Sequence, residues 1–139
     1  MILFDREPLF RLEVDVRPPE PLDLASGGPV RLVSIAGGRV SGGLEGVILP
    51  GGTDWQVLRA DGAIEIEARY LLALADGARV ELQSRGLRAA GASGFWSSMW
   101  LRCEAEAHGR LNQTQFLARG RKLDRHVAID VFALPAFDG

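Results

Sequence analysis

Cysteine is nearly missing from this chain: Cys103 stands alone among 139 residues. One thiol excludes an intramolecular disulfide framework and any cage of cysteine ligands around a metal. Catalytic thiols need an activating partner, and no Cys–His pairing is suggested, so Cys103 reads as buried and inert. An excess of charge of one sign is missing too. Sixteen basic residues against eighteen acidic ones leave a net charge of −2, which removes the phosphate neutralisation that drives nucleic-acid binding. The one basic cluster, Arg119-Gly120-Arg121-Lys122, reads as a solvated hairpin turn. No apolar stretch approaches the ~18 residues of a membrane-spanning helix. The 47% hydrophobic and 24% charged content is that of a soluble globular protein. Met1 to Glu7 contains acids and lacks the basic flank, long apolar stretch and cleavage site of a secretory signal. The expected compartment is the cytoplasm, with neither nucleic acid nor membrane as a partner.

Signatures of common chemistries are scarce as well. His108 and His126 have no metal-ligand spacing, no serine lies in a Gly-x-Ser-x-Gly elbow, and no Walker-type phosphate loop is present. His126 and Asp130 share a strand face, but four residues of strand separate them by ~13 Å, too far for a hydrogen bond. The expectation is therefore no metal and no cofactor.

What the sequence does have is period-two alternation broken by glycine-rich turns, with hardly any helical spacing. This predicts an all-β protein, a single domain over 1–139. The clearest strand runs from 63 to 75, with Ile64, Ile66, Ala68, Tyr70, Leu72 and Leu74 on one face and Glu65, Glu67 and Arg69 on the other. Asp76-Gly77 then turns the chain into a return strand over 79–85, carrying Val80, Leu82 and Ser84 on one face. Leu9 to Val16 reads as a first strand, stopped by Arg17-Pro18-Pro19-Glu20-Pro21 and followed by a connection to about Gly28. Further strands are expected over 30–36, 44–49, 98–107, 114–121 and 126–134, with Ala89 to Gly94 a flexible loop. Eight or nine strands, bent at Gly37-Gly38 and Gly42-Gly43, suit a closed or nearly closed, mostly antiparallel barrel.

Gly51-Gly52-Thr53-Asp54-Trp55 places an acid and an indole directly after a Gly-Gly turn. Asp54 is either a turn-stabilising acid with Trp55 in the core, or a carboxylate and aromatic wall at a cavity mouth. Arg69 and Tyr70, adjacent on a strand, must point to opposite faces. An inward Ile64–Leu74 row puts Tyr70 in the barrel, and this is the preferred orientation. Arg85 and Arg88 flank Gly86-Leu87, offering a fork that matches a carboxylate or enolate oxygen. Asn112 reads as a turn residue.

Asp54-Trp55, Asp61-Gly62, Arg69-Tyr70, Asp76-Gly77, Arg85-Gly86-Leu87-Arg88 and Leu111-Asn112 occur in this order, and together they resemble the family called domain of unknown function 3237. The resemblance covers nearly the whole chain and implies a closed barrel that forms a homodimer. Its members typically carry Trp-Leu-Asn where this chain has Arg110-Leu111-Asn112, so Trp96 and Trp100 are candidates to replace that indole. Members also carry a longer insertion near 89–94, shortened here.

Three functions fit. The first is a cofactor-independent lyase, isomerase or cyclase acting on a small, mostly apolar, oxygenated ligand. Asp54, Tyr70 and Arg69 would then be the catalytic set, and Trp55, Arg85, Asn112 and Trp100 would contact the ligand. The second is a barrel that binds such a ligand unchanged. The third is a solid barrel that acts through self-association.

Overall fold

The computed structural model describes residues 6–24 and 28–139. Ten strands follow in chain order: β1 Phe10–Val16, β2 Glu20–Leu24, β3 Gly28–Ser41, β4 Gly46–Ile48, β5 Thr53–Leu58, β6 Ile64–Leu74, β7 Arg79–Arg88, β8 Gly94–Cys103, β9 Phe116–Leu123 and β10 His126–Ala133. Every pairing among them is antiparallel. The sheet closes because β1 pairs with both β10 and β3.

The ten segments build an eight-strand barrel with two extra strands, because two staves are each broken in two. β4 and β5 lie end to end between β3 and β6. β1 and β2 lie end to end along the other edge of β3, interrupted at Pro18-Pro19, where no backbone N–H is available for the ladder. The stretch expected to be a plain connection thus contains β2, and Pro21 is tolerated there because β2 pairs with β3 alone among the described strands.

Turn chemistry fixes the hairpins. At the β6–β7 turn Asp76 Oδ1 accepts the Ala78 N–H at 3.0 Å, and Gly77 takes φ +93°, a left-handed conformation that a side chain would disfavour. Asp61 does the same for Ala63 ahead of β6. After β8 the expected strand to 107 gives way to two short 3-10 turns over Glu106–Gln113, joined at His108. Asn112 lies in this segment: its Oδ1 accepts the Cys103 N–H and its Nδ2 donates to the Cys103 carbonyl, both at 2.8 Å. Leu111 is buried against the barrel's end.

Alternation sends Leu72, Leu74, Val80, Leu82, Leu101 and Phe116 into the lower half of the barrel, where they pack with Phe10 and Met99. The Phe10 and Phe116 rings meet edge to face, 6.3 Å between centroids. This half is filled. Burial of so many large side chains supplies the main driving force for the fold, at about 25 cal/mol per Å² of apolar surface.

Candidate active site

Above Tyr70 the barrel is hollow. A cavity of about 140 Å³ opens at the end where β5 finishes and β6 begins, and Val33, Ile35, Ile66, Phe95, Val127 and Ile129 are among its walls. An enclosed volume of ~150 Å³ takes up one benzene ring, so this space suits a single small ring.

The polar groups reach it by strand parity. On β5, Asp54 and Gln56 point inward; Asp54 pairs across with Ala68 of β6, which leaves Tyr70 as its diagonal neighbour on the same inner face, a relation that places Cα atoms ~7–8 Å apart. Gly52 makes that approach feasible, since a β-carbon there would lie 2.4 Å from Tyr70 Cβ. Small side chains at Ala68 and Ser84 leave the space above the phenol open. From β3, Arg31 enters the same lining, and from β7, Arg88.

A hydrogen-bonded chain orients the acid. Arg31 Nε donates to Gln56 Oε1 at 2.6 Å, and Gln56 Nε2 donates to Asp54 Oδ2 at 2.7 Å. The other carboxylate oxygen, Oδ1, is buried without a partner, as are Tyr70 Oη and Arg88 Nε. Burial pushes the Asp54 carboxyl above its ordinary value of 3.8; the Gln56 hydrogen bond, the Arg31 charge and the Glu67 backbone amide oppose this without cancelling it. Burial, and second the negative charge of Asp54, raises the Tyr70 phenol above its ordinary 10.0. Tyr70 is therefore a protonated hydrogen-bond donor at neutral pH, and Asp54 is the group suited to exchanging a proton. Among the described residues no group of three His, Cys, Asp or Glu side chains is placed to hold a metal.

Of the residues singled out in the sequence, Asp54, Tyr70 and Arg88 meet in this cavity. The preferred inward orientation of Tyr70 holds, at 4% exposure. The remaining five need correction. Arg69, with the opposite parity, has a side chain 68% exposed on the outer face, where its Nη2 lies 2.6 Å from Glu81 Oε2. Trp55 alternates outward from Asp54 and is 42% exposed, neither in the core nor in the cavity. Arg85 is exposed on the outer face of β7. Trp100 is exposed on the outer face of β8 and donates to Gln115 Oε1 at 3.2 Å. Asn112 is occupied with Cys103 at the closed end. The basic cluster is also relocated: Arg119 to Lys122 belong to β9, and Arg121 and Lys122 stand at the cavity mouth. Arg31 and Gln56 were missed, although Gln56 follows from Asp54 by a step of two along one strand.

Comparison with known proteins accords with this architecture. The model of a family described as protein of unknown function (DUF3237) matches residues 5–94. A UPF0311 protein of Clostridium acetobutylicum is 44% identical over 62 residues, which are 44% of this chain and 39% of that protein. The match thus spans about two-fifths of that curated relative's length. Among solved structures, a β-barrel-like protein of Acinetobacter baumannii is similar with a TM-score of 0.86 at 31% identity, covering 93% of this chain and 94% of that one. An enzyme from Penicillium herquei shares the fold with a TM-score of 0.72 at 23% identity, covering 93% of this chain and 92% of that one.

Proposed function

The chain belongs to the DUF3237 family of proteins of unknown function, and we propose that it is a cofactor-independent enzyme that moves a proton on a small, mostly apolar, oxygenated molecule held in the barrel. One observation carries this reading: Asp54 Oδ1 and Tyr70 Oη are both buried without partners at the same small cavity. An unpaired buried polar atom costs about 1–3 kcal/mol, and a substrate oxygen and an acidic C–H are what would engage these two.

In this reaction the Asp54 carboxylate takes the proton from carbon beside a carbonyl. The C–H electron pair moves toward the carbonyl oxygen, and the Tyr70 O–H donates a hydrogen bond to that oxygen as charge develops on it. Burial makes Asp54 a stronger base than a solvated aspartate. Return of the proton to another atom gives an isomerase; loss of a β-substituent from the enolate gives a lyase. The Penicillium herquei protein of the same fold is an enzyme, so a barrel of this kind is compatible with catalysis.

The test is α-proton exchange from a panel of cyclic ketones in D2O, followed by proton NMR. Wild-type protein is expected to accelerate exchange and Asp54→Asn to abolish it. Ketones that bind at the cavity without any acceleration would replace the enzyme reading by that of a passive binder. Self-association is a separate proposal, supported by the exposed Trp55, Leu71, Leu87 and Trp100 on the outer face of β5 to β8. Sedimentation equilibrium is expected to give a homodimer that Trp100→Glu weakens; a monomer in the wild type rejects it.

A further inference from the structure

The cavity lining departs from the charge balance of the rest of the molecule. It contains four cations, Arg31, Arg88, Arg121 and Lys122, and Asp54 is its one acid, in a chain whose net charge is −2. Outside the barrel, Arg11, Arg59, Arg69 and Arg119 each have a carboxylate oxygen within 4.0 Å. None of the four lining cations forms such an ion pair among the described residues. Arg31 is engaged with the neutral Gln56.

Arg88 is the most telling of the four. It is the last residue of β7, on the inward parity of Val80, Leu82 and Ser84, and its register partner on β6 is Ile64, an apolar wall of the cavity. Its Nε is buried and lacks any hydrogen-bond acceptor. The Nε edge of a guanidinium presents two parallel N–H groups, which match the two oxygens of a planar carboxylate. Across β8, the exposed Arg121 and Lys122 of β9 line the same cavity, where they favour entry of an anion. Below this rim the walls are apolar and the volume is that of one ring.

We infer that the ligand of this barrel is a cyclic carboxylate, with its ring in the cavity and its carboxylate held at the rim by Arg88, assisted by Lys122. This rests on the proposed function in requiring that the cavity receive a small molecule. It goes further in fixing that molecule's charge and orientation: the anionic end faces the mouth and the ring carbons face Asp54 and Tyr70.

The experiment is titration of the full chain with benzoate and with its neutral isostere benzamide, followed by NMR shifts of cavity-lining residues and by calorimetry. Benzoate is expected to bind on the order of tenfold more tightly. Arg88→Gln is expected to bring the two affinities together by weakening benzoate binding about tenfold and benzamide binding much less. Lys122→Gln, at an exposed rim position, is expected to narrow the gap in the same direction and covers the case in which Arg88→Gln fails to fold. Equal binding of both probes by the wild type overturns the inference and leaves the cavity reading intact. Binding of neither overturns both.

Discussion

The two halves of this barrel are made from the same staves and differ only in what alternates inward. Going up β6, the inner residues are Leu74, Leu72, Tyr70, Ala68, Ile66 and Ile64; up β7 they are Val80, Leu82, Ser84, Gly86 and Arg88; up β9, Phe116, Ala118, Gly120 and Lys122. The lower positions are large and apolar; the middle ones step down to alanine, serine and glycine, and above them β7 and β9 reach cations while β6 ends in the apolar Ile66 and Ile64. An eight-stranded barrel is just wide enough for side chains to fill. The cavity thus arises from shortening side chains in the upper layers, with the barrel radius left as it is. The lower half supplies stability, and the upper half gives up packing in order to leave polar atoms unpaired around a hollow.

That division is sharpest in a pair of truncations. Phe116→Ala, in the filled half, is expected to cost ~3–5 kcal/mol, and Ile66→Ala, on the cavity wall, to sit at or below the bottom of the ~2–5 kcal/mol range for such changes. Urea unfolding measures both. Equal losses would mean that the upper half is packed as tightly as the lower, and the distinction would collapse.

At the boundary, Tyr70→Phe removes a buried hydroxyl that has no partner. Stability is expected to hold or rise by about 1 kcal/mol, while the ketone-exchange activity is lost. A clear loss of stability would show that the hydroxyl is satisfied within the protein and is not reserved for a ligand.

The Asp54 carboxyl sharpens the contrast through pH. Its folded-state value lies above the ordinary 3.8 because of burial, so between those two values the native protein holds a proton that the unfolded chain has released. Stability therefore falls as pH rises through that window and levels off above it. The stability of the wild type relative to Asp54→Asn is expected to decline as pH rises above the ordinary 3.8 and to level off once the buried carboxyl has ionised. Asp61, Asp76 and Glu81, whose values are lowered by hydrogen bonds and neighbouring cations, are common to both proteins and cancel in the difference. A flat difference would place the acid in solvent, outside the hollow half.

Smallest of all is Arg69→Ala on the outer face. Its pair with Glu81 is solvent-exposed, so a change within about 0.5 kcal/mol is expected, with ketone exchange unaffected. A loss of turnover would restore a catalytic role to the outer arginine.

The barrel was legible because its signals are local. Period-two alternation in 63–75, the Asp76-Gly77 turn and the Pro18-Pro19 stop each act within a few residues, and the structure has the strands and turns they imply. Asp54 and Tyr70 were legible because an acid beside glycines and a lone tyrosine in an apolar row stand out. Trp55 and Trp100 were misplaced because each lies one residue from an inward position and a shift of one residue reverses the face, whereas Arg69 and Arg85 lie on the outer face that the alternation had already set opposite Tyr70 and Ser84. Arg31 belongs to the site through pairing with β5, more than twenty residues along the chain, and no local pattern carries that register. The 3-10 segment was read partly as strand because its Leu111 and Asn112 are held by contacts with β8, which outweigh local propensity.

The interrupted stave between β3 and β6 is also a length adjuster. From Ile48 to Thr53 the chain advances five residues while β6 advances three, Leu72 to Arg69, and β3 advances four, Gly38 to Ser34. The surplus is taken up at Leu49 to Gly52, beside Tyr70; Leu49, Gly51 and Gly52 are hydrogen-bonded to β3 and β6, so it is residues added at the exposed Pro50 that leave the pairing of β4 and of β5 as it was. Evolution, or an engineer, can therefore reshape the floor of the hollow by editing one short surface break, without re-registering a single strand of the core beneath it.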